Sequence, residues 1–226
     1  MTDPALFALS AVVLFLNVVL TVLVLGLMKL NGVSKKVIWS TGVVAALWLG
    51  YLSLALPSGN FLPATMDSLI YFTVVLGWVG VVGALIFLTP MRRAFLVLPQ
   101  ESLLIPQGLR SFFGATFIAQ AGLGLMPLEG LLFGFMHVGT GFFCLLAAIM
   151  WLKAQGKFAV YFANGFGLAD IFITAIMIGF VSFDQIGVAH NMNIAVFWAA
   201  PIYFWLHLFS IYKAMQTQSL YQERKN

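Results

Sequence analysis

Charge is what this chain has least of. Only 8% of its 226 residues are Asp, Glu, Lys or Arg, whereas 62% are hydrophobic. A water-facing surface cannot be built from so few charges, which excludes an ordinary soluble domain. Cysteine is almost absent as well. The one copy, Cys144, rules out an intrachain disulfide and a cysteine metal cluster. No Asn-x-Ser/Thr site occurs, and no glycine-rich phosphate loop. No basic segment precedes the first apolar run, so that run is not a cleavable signal peptide.

What is present is a series of uncharged runs, each long enough to cross a hydrocarbon layer about 30 Å thick. Seven are expected: Ala5–Met28, Val37–Leu56, Ser68–Thr89, Gly108–Met126, Leu131–Leu152, Phe158–Phe183 and Ile194–Tyr212. The fourth is diluted by Arg110 and four glycines. Backbone groups in lipid must satisfy one another, so the spans are helices. The chain therefore reads as an all-α, polytopic membrane protein with one seven-helix domain over residues 1–226.

The charges that do occur are sorted. Lys29, Lys35, Lys36, Arg92, Arg93, Lys153, Lys157, Lys213, Arg224 and Lys225 all fall at one set of span ends. The opposite loops carry Asp3, Asp67, Glu129 and Asp184, and no Lys or Arg. Basic residues stay cytoplasmic, so the N-terminus is expected outside and the C-terminus inside. The net charge of +4 is then a topology signal and does not point to nucleic acid. A multi-pass protein of the cell membrane follows, with the bacterial inner membrane the expected location and the lipid bilayer its first partner. Homo-oligomerisation stays open.

Prolines lie at or beyond span ends, except Pro201, which removes a backbone bond inside the seventh span and is expected to kink it. The connector Pro90–Gln107 is amphipathic and proline-punctuated, and is expected along the cytoplasmic surface. Small residues recur on single faces, among them Gly130, Gly134, Gly141 and Ala148 in the fifth span and Gly114 and Gly124 in the fourth. Such faces let helices approach closely in lipid.

Few polar residues interrupt the spans. Asp170 stands in FAVYFANGFGLADIFITAIMIGFVSF with nothing nearby to neutralise it. A carboxylate at that depth is costly, faces the protein interior and needs a partner. At about 1.5 Å per residue, Arg110, Asn164 and His207 fall in the cytoplasmic half, Asn17 and Asp170 near the middle, and Gln120 and His137 in the outer half. Arg110, Asn164, Asp170 and His207 are expected to converge, with Asn17 joining them. Tyr203 shares a stripe with His207 and Ser210, and His137 lies on a glycine-lined face beside Thr140. Asn164 and Asp170 stand roughly 120° apart on their helix, so both reach one partner only from a site between neighbouring helices.

Each of these residues has a plain alternative. Asp170 is either a buried ion pair that fixes packing or a proton- or solute-binding group. Arg110 can snorkel to the interface, and His207 and His137 can be satisfied core histidines. No cofactor is expected. The histidines lack metal-ligand spacing. Seven spans with an outside N-terminus suggest a retinal protein, but the seventh span has no mid-depth lysine. Two function classes remain ahead: binding or transport of a small solute or ion, and an accessory subunit whose polar cluster only locks helices. A membrane enzyme acting on a lipid or quinone is a third.

Four stretches carry a family resemblance: QGLRSFFGATFI, LGLMPLEGLLFGFMHVGTGF, NGFGLADIFITAIMIGF and APIYFWLHLFSIY. Over about residues 105–213 the chain resembles a family of small bacterial multi-span membrane proteins that has no established activity. The resemblance implies the multi-span fold and singles out Arg110, Asp170 and His207. It departs in the fifth span, where the family has a second aspartate and this chain reads GFMHVGTG.

Overall fold

A computed structural model describes residues 4–153 and 156–223. Asp3, Arg224 and Lys225 lie outside the described residues. Among the described residues there are helices and turns and no strand. The long helices are α1 (Pro4–Leu30), α2 (Lys35–Ala55) and α3 (Ser68–Leu88). Two short helices follow, α4 (Met91–Val97) and α5 (Gln100–Leu104), and a 3-10 turn over Ile105–Leu109 leads into α6 (Arg110–Gly122). Then come α7 (Glu129–Leu152), α8 (Lys157–Phe180), α9 (Phe183–Ile186), α10 (Asn193–Val196) and α11 (Ala199–Glu223). Among the described residues, six segments are long and apolar enough to cross a membrane; α6 is not one of them.

The outside of the bundle is apolar. Phe158 is 80% exposed, Trp39 72% and Phe135 63%. In water such a surface would aggregate, so the surrounding solvent is lipid. Polar residues are turned inward instead: Asn17, Gln107, Gln120, Asn164, Asp170 and His207 are all fully buried.

Local chemistry sets the helix ends. The Ser34 hydroxyl accepts from Val37 N at the start of α2, and the Asp67 carboxylate accepts from Ile70 N at the start of α3. The 13 residues of α6 span only about 20 Å. Its end is a Schellman motif: Gly124 N donates to Ala121 O and Leu125 N to Gln120 O, with Gly124 at φ +69°. Pro127 follows at once. This stop lies four residues short of the expected end at Met126, and α6 starts two residues after the expected Gly108.

Two further expectations are corrected. The connector does not lie wholly on a surface. Arg92 and Arg93 are exposed, but after the bend at Leu98–Pro99 the chain dives inward, and Gln100, Leu103, Leu104 and Gln107 are each no more than 2% exposed. This second half packs against α7 and α11. The amphipathic pattern hid this, because two of its buried residues are glutamines with partners inside the bundle. The seventh expected span is also interrupted at Phe197–Trp198, four residues ahead of Pro201.

The two facts are one. A helical residue at 201 would donate its N–H to the carbonyl of Phe197, and proline has none. Phe197 O instead accepts from Trp48 Nε1 at 3.1 Å and from Trp78 Nε1 at 2.8 Å. The two indoles stack with ring centroids 4.6 Å apart. Trp198 Nε1 donates to Thr21 Oγ1 at 2.9 Å. The break thus ties α1, α2 and α3 to α11.

Candidate functional site

Arg110 is the first residue of α6. Two glycines put it deep in the bundle. A Cβ at Gly114 would come 2.4 Å from Gly134 O, and one at Gly134 would come 2.7 Å from Gly114 O. Helices α6 and α7 therefore touch backbone to backbone, and the start of α6 reaches α8.

There Arg110 Nη2 donates to Asp170 Oδ2 at 2.6 Å, with both side chains sealed from solvent. Its Nη1 donates to Gly167 O at 3.2 Å and stands 3.3 Å from His207 Nε2. Asp170 has further partners. Thr140 Oγ1 donates to Oδ2 at 2.8 Å, and Thr174 Oγ1 donates to Oδ1 at 3.2 Å. His137 Nδ1 lies 2.9 Å from Oδ1, off the line of a hydrogen bond. A charge-assisted pair with this many donors offsets much of the cost of burying the carboxylate.

A ladder runs from Arg110 toward the bundle end that carries Lys157. His207 Nδ1 stands 2.9 Å from Asn164 Oδ1. Asn164 Nδ2 donates to Val160 O at 2.7 Å and to Ser210 Oγ at 2.8 Å. Gln100 Nε2 donates to the same hydroxyl at 2.5 Å. These bonds assign the His207 ring. The amide nitrogen of Asn164 is already donating, so its oxygen accepts, and His207 Nδ1 carries the proton. Nε2 then offers its lone pair to Arg110, which can only donate. His207 is held as the neutral Nδ1–H tautomer. Gly167 makes room for it, since a Cβ there would sit 2.2 Å from His207 Cε1.

The four residues expected to converge do so. Asn164 and Asp170 keep separate partners, His207 and Arg110, and those two partners meet between helices. His137 reaches Asp170 although simple depth placed it farther out. Asn17 does not join. Its Nδ2 donates back to Val13 O at 2.7 Å on its own helix, and its carbonyl oxygen has no protein partner. Gln120, noted as an outer-half polar residue, is fully buried with neither end of its amide partnered. Gln100 was missed because it lies in the connector, and Thr174 and Thr140 had no sign of their shared partner beyond helical spacing.

On the other side of Arg110 lies a cavity of about 340 Å³. Helices α3, α6, α8 and α11 supply most of its wall, which is aromatic and aliphatic. Arg110, His137, Thr174 and Tyr203 form its polar end. The Arg110 guanidinium sits 5.5 Å from the Tyr203 ring centre. The Tyr203 hydroxyl and Arg110 Nε are buried without a protein partner. Two wall residues, Leu76 and Phe172, are 45% and 47% exposed on the outside of the bundle, so the cavity borders the lipid-facing surface between α3 and α8. Aromatic clustering in RSFFGATF and IYFW was the available signal for this wall.

No family model, curated protein or solved structure matches the chain. Its chemistry is read from the geometry alone.

Proposed function

We propose that this is a multi-pass protein of the bacterial cell membrane with seven crossings, an outside N-terminus and a cytoplasmic C-terminus, and that it binds a small ligand in the cavity beside Arg110. One observation carries the reading. A cavity of about 340 Å³ with aromatic and aliphatic walls lies beside the Arg110–Asp170 pair and borders the lipid-facing surface, with Arg110, His137, Thr174 and Tyr203 among its lining residues. An apolar pocket with a few polar residues is the usual form of a small-molecule site.

Binding is favoured over passage through the protein. Gln100, Ser210, Asn164 and His207 hydrogen-bond one another on the Lys157 side of Arg110, and none of them lines the cavity. An amide and a guanidinium within that ladder are poor proton carriers, which weighs against proton transport.

The test is retention of a small molecule. Wild-type protein purified in lipid nanodiscs should carry one, seen by native mass spectrometry, and Ala175→Phe, which fills the cavity wall, should not. A wild-type protein that carries none, and binds none from a panel of neutral, anionic and cationic amphiphiles, would overturn the reading.

An accessory role has its own support: both oxygens of Asp170 are engaged by side chains, as in a pure packing lock. That role predicts that filling the cavity leaves cellular function unchanged.

A further inference from the structure

We propose that this cavity takes a hydrocarbon chain, the acyl tail of a bilayer lipid, which enters between α3 and α8 while the head group stays at the membrane surface. This rests on the cavity being a ligand site and names the ligand's class.

Depth decides what can reach the entrance. Leu76 on α3 and Phe172 on α8 are its exposed wall residues. At about 1.5 Å per residue, Leu76 stands about 12 Å along α3 from Ser68, and Phe172 about 12 Å along α8 from Phe180. Those two helix ends lie side by side, since Phe72 and Phe180 pack with ring centroids 5.1 Å apart. The entrance is thus well inside a hydrocarbon layer about 30 Å thick, where lipid tails are the solvent. A polar head brought to that depth gives up its water.

The wall suits a tail. Phe72, Val79, Ala175 and Phe204 line it together with Leu76 and Phe172. Most polar groups beside them are taken up or sealed. Arg110 donates to Asp170 and Gly167 O, Thr174 donates to Asp170, and the Tyr71 hydroxyl donates to Asn193 Oδ1. Arg110 Nε and the Tyr203 hydroxyl are buried atoms. A chain needs no polar partner, and it restores the dispersion contacts that an empty apolar cavity forfeits. The volume, about 340 Å³, holds on the order of ten groups of water size at about 30 Å³ each. A methylene is close to that size, so the space fits the end of a tail and not a whole lipid.

His137 is the polar lining residue to weigh, with a side chain 14% exposed. Its Nδ1 is buried 2.9 Å from Asp170 Oδ1, and its ring packs edge-on to Phe117 with centroids 5.1 Å apart. Arg110 and Asp170 neutralise each other at 2.6 Å. With His137 neutral, a charged head meets no free counter-charge, which is costly in a low-dielectric interior. With His137 protonated, an anionic head would meet one. The rival is therefore a free fatty acid held by its carboxylate at His137.

The experiment uses the full chain in phosphatidylcholine nanodiscs doped with one of two probes. One is a phosphatidylcholine with a diazirine near the end of an acyl chain, and the other is the free fatty acid with the same diazirine. After photolysis, adducts are mapped to single residues by mass spectrometry. The phosphatidylcholine probe should label Phe117 or His137 at the inner end of the cavity, and Phe112 and Phe135 on the lipid-facing outside as controls. Ala175→Phe and Ala200→Leu fill the wall from different helices. Whichever keeps the wild-type unfolding profile should lose the inner adducts and keep those at Phe112 and Phe135. His137→Gln should leave Phe117 labelling unchanged. Inner adducts from the free fatty acid alone, lost in His137→Gln, overturn the lipid tail but leave the cavity as a ligand site. Adducts confined to outward-facing side chains with both probes overturn the proposal. The reading of the cavity as a ligand site falls with it only if the purified protein also retains no small molecule.

Discussion

Asp170 is the residue on which most of the site hangs. Its carboxylate holds Arg110, and Arg110 in turn fixes His207. Asp170→Asn keeps the shape but strands a buried cation. Breaking a buried pair costs on the order of 3–5 kcal/mol, and a drop of that size is expected in denaturant unfolding in detergent. Removing both charges with Asp170→Asn and Arg110→Gln should recover most of it. A double variant as unstable as the single one would mean that the hydrogen bonds to Thr140 and Thr174 carry the stability, and the ion pair does not. His190 gives a second readout, in the loop before α10. It is half-buried, its Nδ1 accepts from Met192 N at 3.3 Å, and burial pushes its pKa below the ordinary histidine range, partly offset by the Leu125 carbonyl. The unfolded chain therefore binds the proton more readily, so the stability from His190 is full above about pH 6.5 and is lost as pH falls below it. A plot of melting temperature against pH should decline through that window, and His190→Gln should flatten it. The isolation of Asp170 among apolar residues was legible in the sequence, and so was the matching depth of Arg110 and His207. The reach of His137 was not, because depth along an ideal helix ignores how close two glycine-faced helices can come.

At the scale of helices, the break before α11 shows how a missing donor is replaced. Proline at 201 was readable as an interruption, but the carbonyl it frees sits at Phe197, and nothing in the spacing of Trp48 and Trp78 named them as its donors. Each indole bond is worth about 1 kcal/mol. Trp48→Phe or Trp78→Phe alone should cost little more than that, since the other indole still satisfies Phe197 O. Losing both leaves a buried carbonyl unpaired, and the double variant should fall by more than the sum. Adding Pro201→Ala restores a backbone N–H at the right place and should rescue part of the double variant's loss, measured by thermal unfolding. If Pro201→Ala rescues nothing, the indoles matter through stacking. The α6–α7 contact is less forgiving. Gly114→Val would drive two methyls into Gly134 O and Val138. The helices must part, and Arg110 is drawn away from Asp170. A large loss of stability is expected, together with loss of any ligand binding at the cavity. The connector was misread for a related reason: its glutamines look like surface residues until the partners Ser210 and Tyr203 O are seen across the bundle.

For the whole molecule the open quantity is the number of crossings. Among the described residues six helical segments qualify by length and composition, and α6 does not. Yet α6 does not begin in isolation. The chain is helical without a gap from Gln100 to Gly122, so α5 and the 3-10 turn add roughly 17 Å to the 20 Å of α6, enough for a layer about 30 Å thick. The charges weigh the same way. If residues 100–122 cross, Lys35, Lys36, Arg92, Arg93, Lys153, Lys157 and Lys213 share one side, and Asp67, Glu129 and Asp184 share the other. If they do not cross, every later loop changes sides. Lys153 and Lys157 would then face Arg92 and Arg93 across the membrane, which the preference of basic residues for the cytoplasm opposes. Paired reporters decide between the two. Fused at the C-terminus, a cytoplasm-active reporter should report inside, and one inserted at Gly59, in the loop before α3, should report outside. The critical insertion is at Gly124, in the turn between α6 and α7. Seven crossings place it outside, on the side of Gly59. Six place it on the side of Arg92, with both termini on one face. An inside readout at Gly124 together with an outside readout at the C-terminus would remove the seventh crossing and reverse the orientation of α7, α8 and α11.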